Sequence, residues 1–579
     1  MEKRAKILRI ILFAAVTVIL ARLFVIQIIE HDAWVARAED EHIVQSTIKA
    51  KRGEIYMMDG DEPSVAVMNE TVFTVVIDPL TANEEKTKSV ISSAVPAEKM
   101  VADWKDIFAD KTRRYYIVAR GVKQTEVDKI KEAELAGVYY TKGNARVYPE
   151  GEMAASLLGF VNAEGKGQYG VEGALDDELG GEDGVLKTVT DVNNIALSIG
   201  DDNVRVPAKD GKNIVLSIDK NVQHKMEQFL KEQIDSTPAT NAAGIVMDPS
   251  TGEVWAMANM PSYDAANYAK VEDASVFINV PLESAYEPGS MCKSFSFAAA
   301  IDTGKITPQS TFNNKGYMTV DGWRIENAYE GQIGTITMQT GLAYSLNTSS
   351  MTALMRLGDS ETEITQKAKD VLYDYYYNKF GLGQYTGIEL YEVPGYVTKP
   401  DAADAYNSRY ANMSFGQGLT LTMMQVAAGF SSVINGGEYY RPTIVAGEVT
   451  ADGTFLYNQA PEAVRETISA ESSATMREML RGTRNLMRTY GIDKPGYMIG
   501  GKTGTSQGIK DGKYTFDETV ASYVGFGGAE GELPKYVIMV KIWGENQKLG
   551  GEADARPVFN KMSNYMIDYL KIKPGEAHV

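Results

Sequence analysis

Apolar and polar positions divide the chain into three textures. Residues 10–29 read IILFAAVTVILARLFVIQII, an apolar run broken only by Arg22 and Gln27. About 20 such residues are the length a helix needs to cross a bilayer. Residues 31–70 are mixed and hold the basic turn Lys49-Ala-Lys51-Arg52-Gly53. Residues 71–210 are charged and segmented, with short apolar runs such as Val72–Ile77 and a Gly/Asp-rich stretch at Gly180–Gly184, which predicts short strands and helices. From about residue 211 the pattern is cleaner. Ile214–Ile218 reads as a strand, and Asp219 can cap an amphipathic helix through Val222–Ile234 with Met226, Phe229, Leu230 and Ile234 on one face. Ala242–Met247 and Glu253–Met257 flank the turn-rich Asp248–Gly252 and predict a hairpin. Ser522–Phe526 and Tyr536–Ile542 predict paired strands. Residues 557–570 predict a closing helix with Val558, Met562, Tyr565 and Leu570 on its apolar side. Hairpin strands interleaved with helices predict an α+β fold, an antiparallel sheet with helices packed on it.

Charge gives the apolar run a direction. Lys3, Arg4, Lys6 and Arg9 precede it, which puts the start of the chain in the cytoplasm. A cleaved signal peptide is the competing reading, with Ala36-Arg37-Ala38 as its cleavage site; the run is longer than the 7–15 residues of a signal h-region, which favours a retained anchor. The remaining chain then lies outside the membrane. The total is 579 residues with net charge −19, and residues 1–30 carry +5 and −2, so the outer part holds about −22. That balance argues against a nucleic-acid partner, whose phosphates demand Lys and Arg.

Candidate chemistry is narrowed by scarcity. One cysteine, Cys292, excludes an intrachain disulfide framework and a Cys-rich zinc site. The four histidines, His31, His42, His224 and His578, are scattered, so a Ser-His-Asp or Cys-His mechanism has almost nothing to use. In Tyr286-Glu287-Pro288-Gly289-Ser290-Met291-Cys292-Lys293, Pro-Gly breaks the chain and a helix is expected to start at Ser290. The i, i+3 spacing stacks Ser290 and Lys293 on one face. A desolvated, neutral lysine there can take the serine proton. Alone, S-x-x-K is a chance motif. Ser345-Leu346-Asn347 and Lys502-Thr503-Gly504-Thr505 follow in order, and the three together form the signature of penicillin-binding proteins and serine β-lactamases. Gly496–Thr503 also matches the phosphate-binding pattern G-x-x-x-x-G-K-[ST], but Pro495 precedes it and Gly504–Gly508 and Lys510–Gly512 read as loop rather than helix.

With these motifs in place, the sequence resembles class B penicillin-binding proteins, the monofunctional peptidoglycan D,D-transpeptidases, nearly from end to end. Arg52-Gly53-Glu54-Ile55 looks like the family's R-G-x-I segment. Arg146-Val-Tyr148-Pro149, Leu158-Gly159-Phe160 and Gly170-Val-Glu172 resemble its pedestal motifs, and Phe380–Gly383, Thr386-Gly387, Gly416-Gln417-Gly418 and Asn435-Gly436-Gly437 its catalytic part. Tyr56-Met-Met-Asp-Gly60 stands where the family usually has D-R-N-G, and Cys292 is an unusual occupant of S-x-x-K. The resemblance implies a cytoplasmic stub (1–9), a transmembrane anchor (10–29), an elongated α+β pedestal, dimerisation-like and non-catalytic (30–210), a transpeptidase domain (211–572) and a tail (573–579). It implies Ser290 as the acylated nucleophile, Lys293 as its base, Ser345 as proton relay, Asn347 as holder of Lys293 and the substrate amide, and Lys502 as a source of positive potential. Thr503, Gly504 and Thr505 would line the substrate and β-lactam site. No cofactor or metal is implied. Implied partners are peptidoglycan stem peptides, β-lactams, the membrane, and a glycosyltransferase of the shape, elongation, division and sporulation (SEDS) type with other wall-synthesis proteins. Tyr286-Glu287 and Asn347 look more like the division and sporulation branch than the elongation branch. A serine β-lactamase and a β-lactam sensor or scaffold are the alternatives.

Overall fold

The structure is a computed structural model that describes residues 2–34, 43–109, 113–189, 205–328, 331–459, 461–486, 493–510 and 513–575. The Ala36–Ala38 segment, His42 and His578 lie outside the described residues. The chain falls into two compact units, one of residues 1–53 with 180–211 and the other of residues 54–179 with 212–579.

The first unit holds the N-terminal helix Glu2–Phe24, which continues as a wider turn over Val25–Ile29. None of its residues is buried by protein, and among the described helices it alone is long and apolar enough to cross a membrane. The same unit holds a three-stranded sheet in which Ile43–Ile48 pairs antiparallel with Gly184–Val189, and that strand with Arg205–Val206. Lys49 and Asp183 form an ion pair at 2.7 Å beside it.

The second unit is built on two sheets. A seven-stranded mixed sheet contains β1 (Ile55–Asp59), β2 (Glu62–Ile77), β3 (Tyr116–Lys123), β4 (Val138–Val147) and β5 (Asn213–Asp219), with Val445–Val449 and Phe455–Tyr457 beyond β5. β5 pairs parallel with β1 and antiparallel with Val445–Val449, so one ladder joins the segment before residue 211 to the segment after it. Asp219 caps helix α1 (Lys220–Ser236), accepting from the N–H groups of Asn221 and Val222 as the sequence predicts.

The second sheet is antiparallel throughout. Its strands are β6 (Asn241–Met247), β7 (Val254–Met260), β8 (Tyr497–Lys510), β9 (Lys513–Ala529) and β10 (Tyr536–Trp543), ordered β7-β6-β10-β9-β8. Both faces are covered, which is why β6, β7 and β10 read as almost continuous apolar runs. Ala242, Val246, Ile538, Val540 and Ile542 point to α1 and the closing helix α6 (Arg556–Tyr569). The alternate residues Ala243, Ile245, Met247, Val537 and Met539 point to a helical layer. That layer includes α2 (Lys293–Asp302), α3 (Asn347–Leu357), α4 (Met423–Ile434) and α5 (Ala470–Leu486). All twelve residues of α4 are buried, so it is the centre of this core.

One expectation is corrected. Gly504–Gly508, read as loop, belongs to β8, which pairs with β9 from Tyr497↔Ala529 to Lys510↔Lys513. Loop-forming residue types remain extended there because cross-strand pairing outweighs their local preference.

Glu227 on α1 ties this helix to the segment around Ala154. Its carboxylate accepts from the Ala154 N–H and from Gln223 Nε2, both at 2.7 Å. Burial pushes this carboxyl up to about 7. A folded-state pKa above the unfolded one gives a stabilisation that is complete below the unfolded value and lost as pH rises through about 7. Glu227→Gln keeps the acceptor and removes the titration. Its melting temperature is expected to gain on wild type between roughly pH 5 and pH 8.5, measured by thermal denaturation; an unchanged gap contradicts this.

Candidate active site

Ser290 lies in a 3₁₀ turn over Gly289–Cys292, and the α-helix proper begins at Lys293. This differs from a helix starting at Ser290, and the difference serves the geometry. In a 3₁₀ turn, side chains three residues apart eclipse one another, and Lys293 Nζ stands 3.0 Å from Ser290 Oγ.

The second fragment sits at a sharp reversal. Ser345 ends the short helix Met338–Ala343 and precedes α3, with φ of 56°. A non-glycine residue held in the left-handed region is costly and clusters at functional sites. Here it turns two oxygens of one residue toward the same amine: Lys293 Nζ lies 2.5 Å from the Ser345 carbonyl and 3.2 Å from its Oγ. Asn347 Oδ1 accepts from the same nitrogen at 2.9 Å, while Asn347 Nδ2 donates to the Glu326 carbonyl at 2.8 Å and so fixes which end of the amide faces Lys293.

The third fragment lies on β8, the edge strand of the five-stranded sheet. Lys502 Nζ donates to Ser345 Oγ at 3.0 Å and approaches the Thr503 carbonyl at 3.2 Å and its hydroxyl at 3.3 Å. Gly504 is buried against the serine turn; a Cβ there would lie 2.5 Å from the Pro288 carbonyl. Thr505 is exposed, and its hydroxyl accepts from the Gly551 N–H at 3.1 Å. Thus Ser290, Lys293, Ser345, Asn347 and Lys502 are linked by direct contacts, and Thr503, Gly504 and Thr505 continue along the adjoining edge.

Electrostatics follow from burial. Lys293 is 0% exposed and Lys502 1%. Burial, with the positive charge of Lys502 added, holds the Lys293 amine well below the ordinary lysine range. Burial pushes Lys502 down to about 7, against the pull of Glu552. No carboxylate forms an ion pair with either lysine among the described residues. A neutral Lys293 has two N–H donors and one lone pair. The Ser345 carbonyl and Asn347 Oδ1 take the donors, which leaves the lone pair for the Ser290 hydroxyl proton. Cys292 is fully buried and its thiol is pushed well up by burial, so it is an inert packing residue.

Sequence reading missed the bracket that holds this turn. The Gly289 N–H donates to the Gly416 carbonyl at 3.0 Å. The Glu287 carbonyl accepts from the Ser506 hydroxyl, and its carboxylate accepts from the Gly418 N–H and the Tyr514 hydroxyl, each at 2.8 Å. Gly416-Gln417-Gly418 was legible only as a family pattern. A glutamate directly before Pro-Gly-Ser was the one signal for Glu287.

Comparison with known proteins agrees with the geometry. Residues 242–564 match the family model "Penicillin binding protein transpeptidase domain". The chain belongs to the penicillin-binding protein transpeptidase family. Residues 47–216 match the penicillin-binding protein dimerisation domain. The chain is 29% identical to Stage V sporulation protein D of Bacillus subtilis, an alignment covering all of this chain and 87% of that one. It is also 29% identical to penicillin-binding protein PbpB of Mycolicibacterium smegmatis, over 73% of this chain and 64% of that longer one. The fold is similar to penicillin-binding protein 2X of Streptococcus thermophilus, with TM-score 0.72 and 21% identity over 92% of this chain and 81% of that one. This penicillin-binding protein is a class B transpeptidase, a serine-type acyltransferase of cell-wall synthesis.

Gly416 tests the bracket. Its φ is +92°, and a Cβ there would stand 1.8 Å from the Gly289 carbonyl. Gly416→Ala is therefore expected to displace the Ser290 turn and slow acylation by penicillin about 100-fold, the effect of a misplacement near 1 Å. A time course of fluorescent-penicillin labelling measures it; a wild-type rate contradicts the bracket.

Proposed function

We propose that Ser290 is the acylated nucleophile of a peptidoglycan D,D-transpeptidase and that Lys293 is its general base. The observation that carries this reading is a fully buried amine 3.0 Å from a serine hydroxyl, with a second buried lysine nearby and no ion-paired carboxylate among the described residues. The Ser290 hydroxyl proton passes to the Lys293 lone pair as Oγ attacks the penultimate D-Ala carbonyl of a stem peptide. The N–H groups of Ser290 and Thr505 receive the oxyanion, each such donor worth about 3–4 kcal/mol. The Ser345 hydroxyl, within reach of both lysines, relays the proton to the departing D-Ala amine. A neighbouring strand's amine then takes the acyl group and the proton path reverses. Lys502, Thr503 and Thr505 bind the terminal carboxylate, and Asn347 holds Lys293 and the stem-peptide amide. A β-lactam presents its strained amide in place of the D-Ala-D-Ala bond and remains on Ser290.

Residues 1–9 form the cytoplasmic stub, 10–29 the anchor, 30–210 the pedestal, 211–572 the catalytic domain and 573–579 the tail. Lys3, Arg4, Lys6 and Arg9, in the first turns of the N-terminal helix and ahead of its apolar run, support this orientation, with the catalytic domain outside the cytoplasmic membrane. The anchor and pedestal are the surfaces for a SEDS-type glycosyltransferase and other wall-synthesis proteins. End-to-end similarity to a sporulation protein supports work on the septal or spore wall.

Membranes carrying the protein are expected to take a stable fluorescent-penicillin label that Ser290→Ala abolishes. Label on the Ser290→Ala chain sinks the nucleophile assignment, and rapid loss of label from wild type indicates a β-lactamase instead. A second test concerns the two lysines. Lys502→Met removes the positive neighbour that depresses Lys293, so the Lys293 pKa rises and less of it is neutral at a given pH. The acid limb of the acylation-rate profile is expected to move to higher pH; a limb that stays put contradicts this coupling.

A further inference from the structure

The face of β10 that meets the helical layer runs Val537, Met539, Lys541, Trp543. Lysine at the third position interrupts an apolar row. Lys541 is 4% exposed, and among the described residues its ammonium makes no hydrogen bond or ion pair. What it meets are two ring faces: Nζ stands 4.2 Å from the ring centroid of Tyr286 and 4.6 Å from that of Trp543. A desolvated ammonium over aromatic faces is held by the ring quadrupole. Burial pushes Lys541 down to about 8, so it keeps its charge at neutral pH.

Tyr286 is the point at which the chain enters the serine turn. Its backbone exchanges two hydrogen bonds with Leu421, both 2.9 Å. Its ring has a weaker anchor: the buried hydroxyl faces the Ser522 hydroxyl, and neither oxygen makes a hydrogen bond of ordinary geometry. Ser522 is the cross-strand partner of both Lys541 and Gly504. The row Gly504–Ser522–Lys541 therefore runs from the edge of the active site to the cation under Tyr286. A methionine would fill the same space without burying a charge. What the charge meets there is the faces of Tyr286 and Trp543.

We propose that Lys541 is a positioning residue for acylation, its ammonium clamping the Tyr286 ring and through it the Glu287-Pro288-Gly289 approach to Ser290. The proposal rests on Ser290 being the nucleophile, and it goes beyond that reading by adding a residue outside the three motifs. Lys541 touches no reacting atom in this account; it acts through Tyr286. Losing the clamp widens the range of Ser290 positions, which lowers the acylation rate constant and leaves the apparent dissociation constant for penicillin unchanged.

The test uses the full-length protein in detergent micelles at neutral pH, with fluorescent penicillin as the probe. The variants are Lys541→Met, Lys541→Arg, Tyr286→Leu, Tyr286→Phe and the Lys541→Met/Tyr286→Leu double variant. Lys541→Met and Tyr286→Leu are each expected to slow the acylation step about tenfold, and the double variant no further. Lys541→Arg keeps a cation and Tyr286→Phe keeps a ring, so both are expected to stay within about twofold of wild type. A wild-type rate for Lys541→Met, or fully additive losses in the double variant, overturns the proposal. If Lys541→Met does not fold, the Tyr286 pair decides alone, and equal rates for Leu and Phe overturn it. A wild-type chain that takes no label at Ser290 removes the underlying site reading as well, whereas normal labelling of Lys541→Met removes only the role of Lys541.

Discussion

The site depends on one interaction, the burial of the Lys293 amine against four oxygens, none of them a carboxylate oxygen. An ammonium in that position would lack a counter-ion, and the positive Lys502 nearby makes its charged form still less favourable. For a chain with four scattered histidines this desolvation matters: it shifts a buried lysine toward its neutral form, the form that the proposed role of Lys293 as base requires. The remaining features of the site keep that amine dry and aim its lone pair. The left-handed turn at Ser345 supplies two of the oxygens, and the Glu326 carbonyl orients Asn347 to supply another.

Three independent layers converge on this amine. The 3₁₀ turn and α2 bring Ser290 and Lys293, the reversal before α3 brings Ser345 and Asn347, and the sheet edge brings Lys502 and Thr505. Their mutual placement is set by backbone contacts at Gly416 and Gly504, where a side chain has no room. The edge strand meets the serine turn at Gly504 and Thr505, while the opposite face of the sheet is covered by α1 and α6.

Much of this was legible from residue order. The apolar run at 10–29, the Asp219-capped helix, the 242–257 hairpin and the closing helix all appear where periodicity put them, since each has one dominant local signal. The three short motifs named the residues that meet around Lys293. What was not legible is non-local. Gly504–Gly508 reads as loop because glycines and small polar residues dominate it, and pairing to β9 makes it a strand. Glu287 lies 219 positions before Ser506 and 227 before Tyr514, and no spacing signal links them. Lys541 looks like an ordinary polar position on a strand until the alternation of β10 shows it facing the core.

Because the account turns on the protonation state of one amine, the most direct measurement is a titration of Lys293 itself. In protein with isotope-labelled lysine, NMR can follow its side-chain carbon next to the amine, with Lys293→Arg giving the assignment. The account predicts that at neutral pH this resonance has the shift of a neutral amine and changes only on acidification. A resonance that remains that of an ammonium until near the ordinary lysine value, about 10.4, would contradict it.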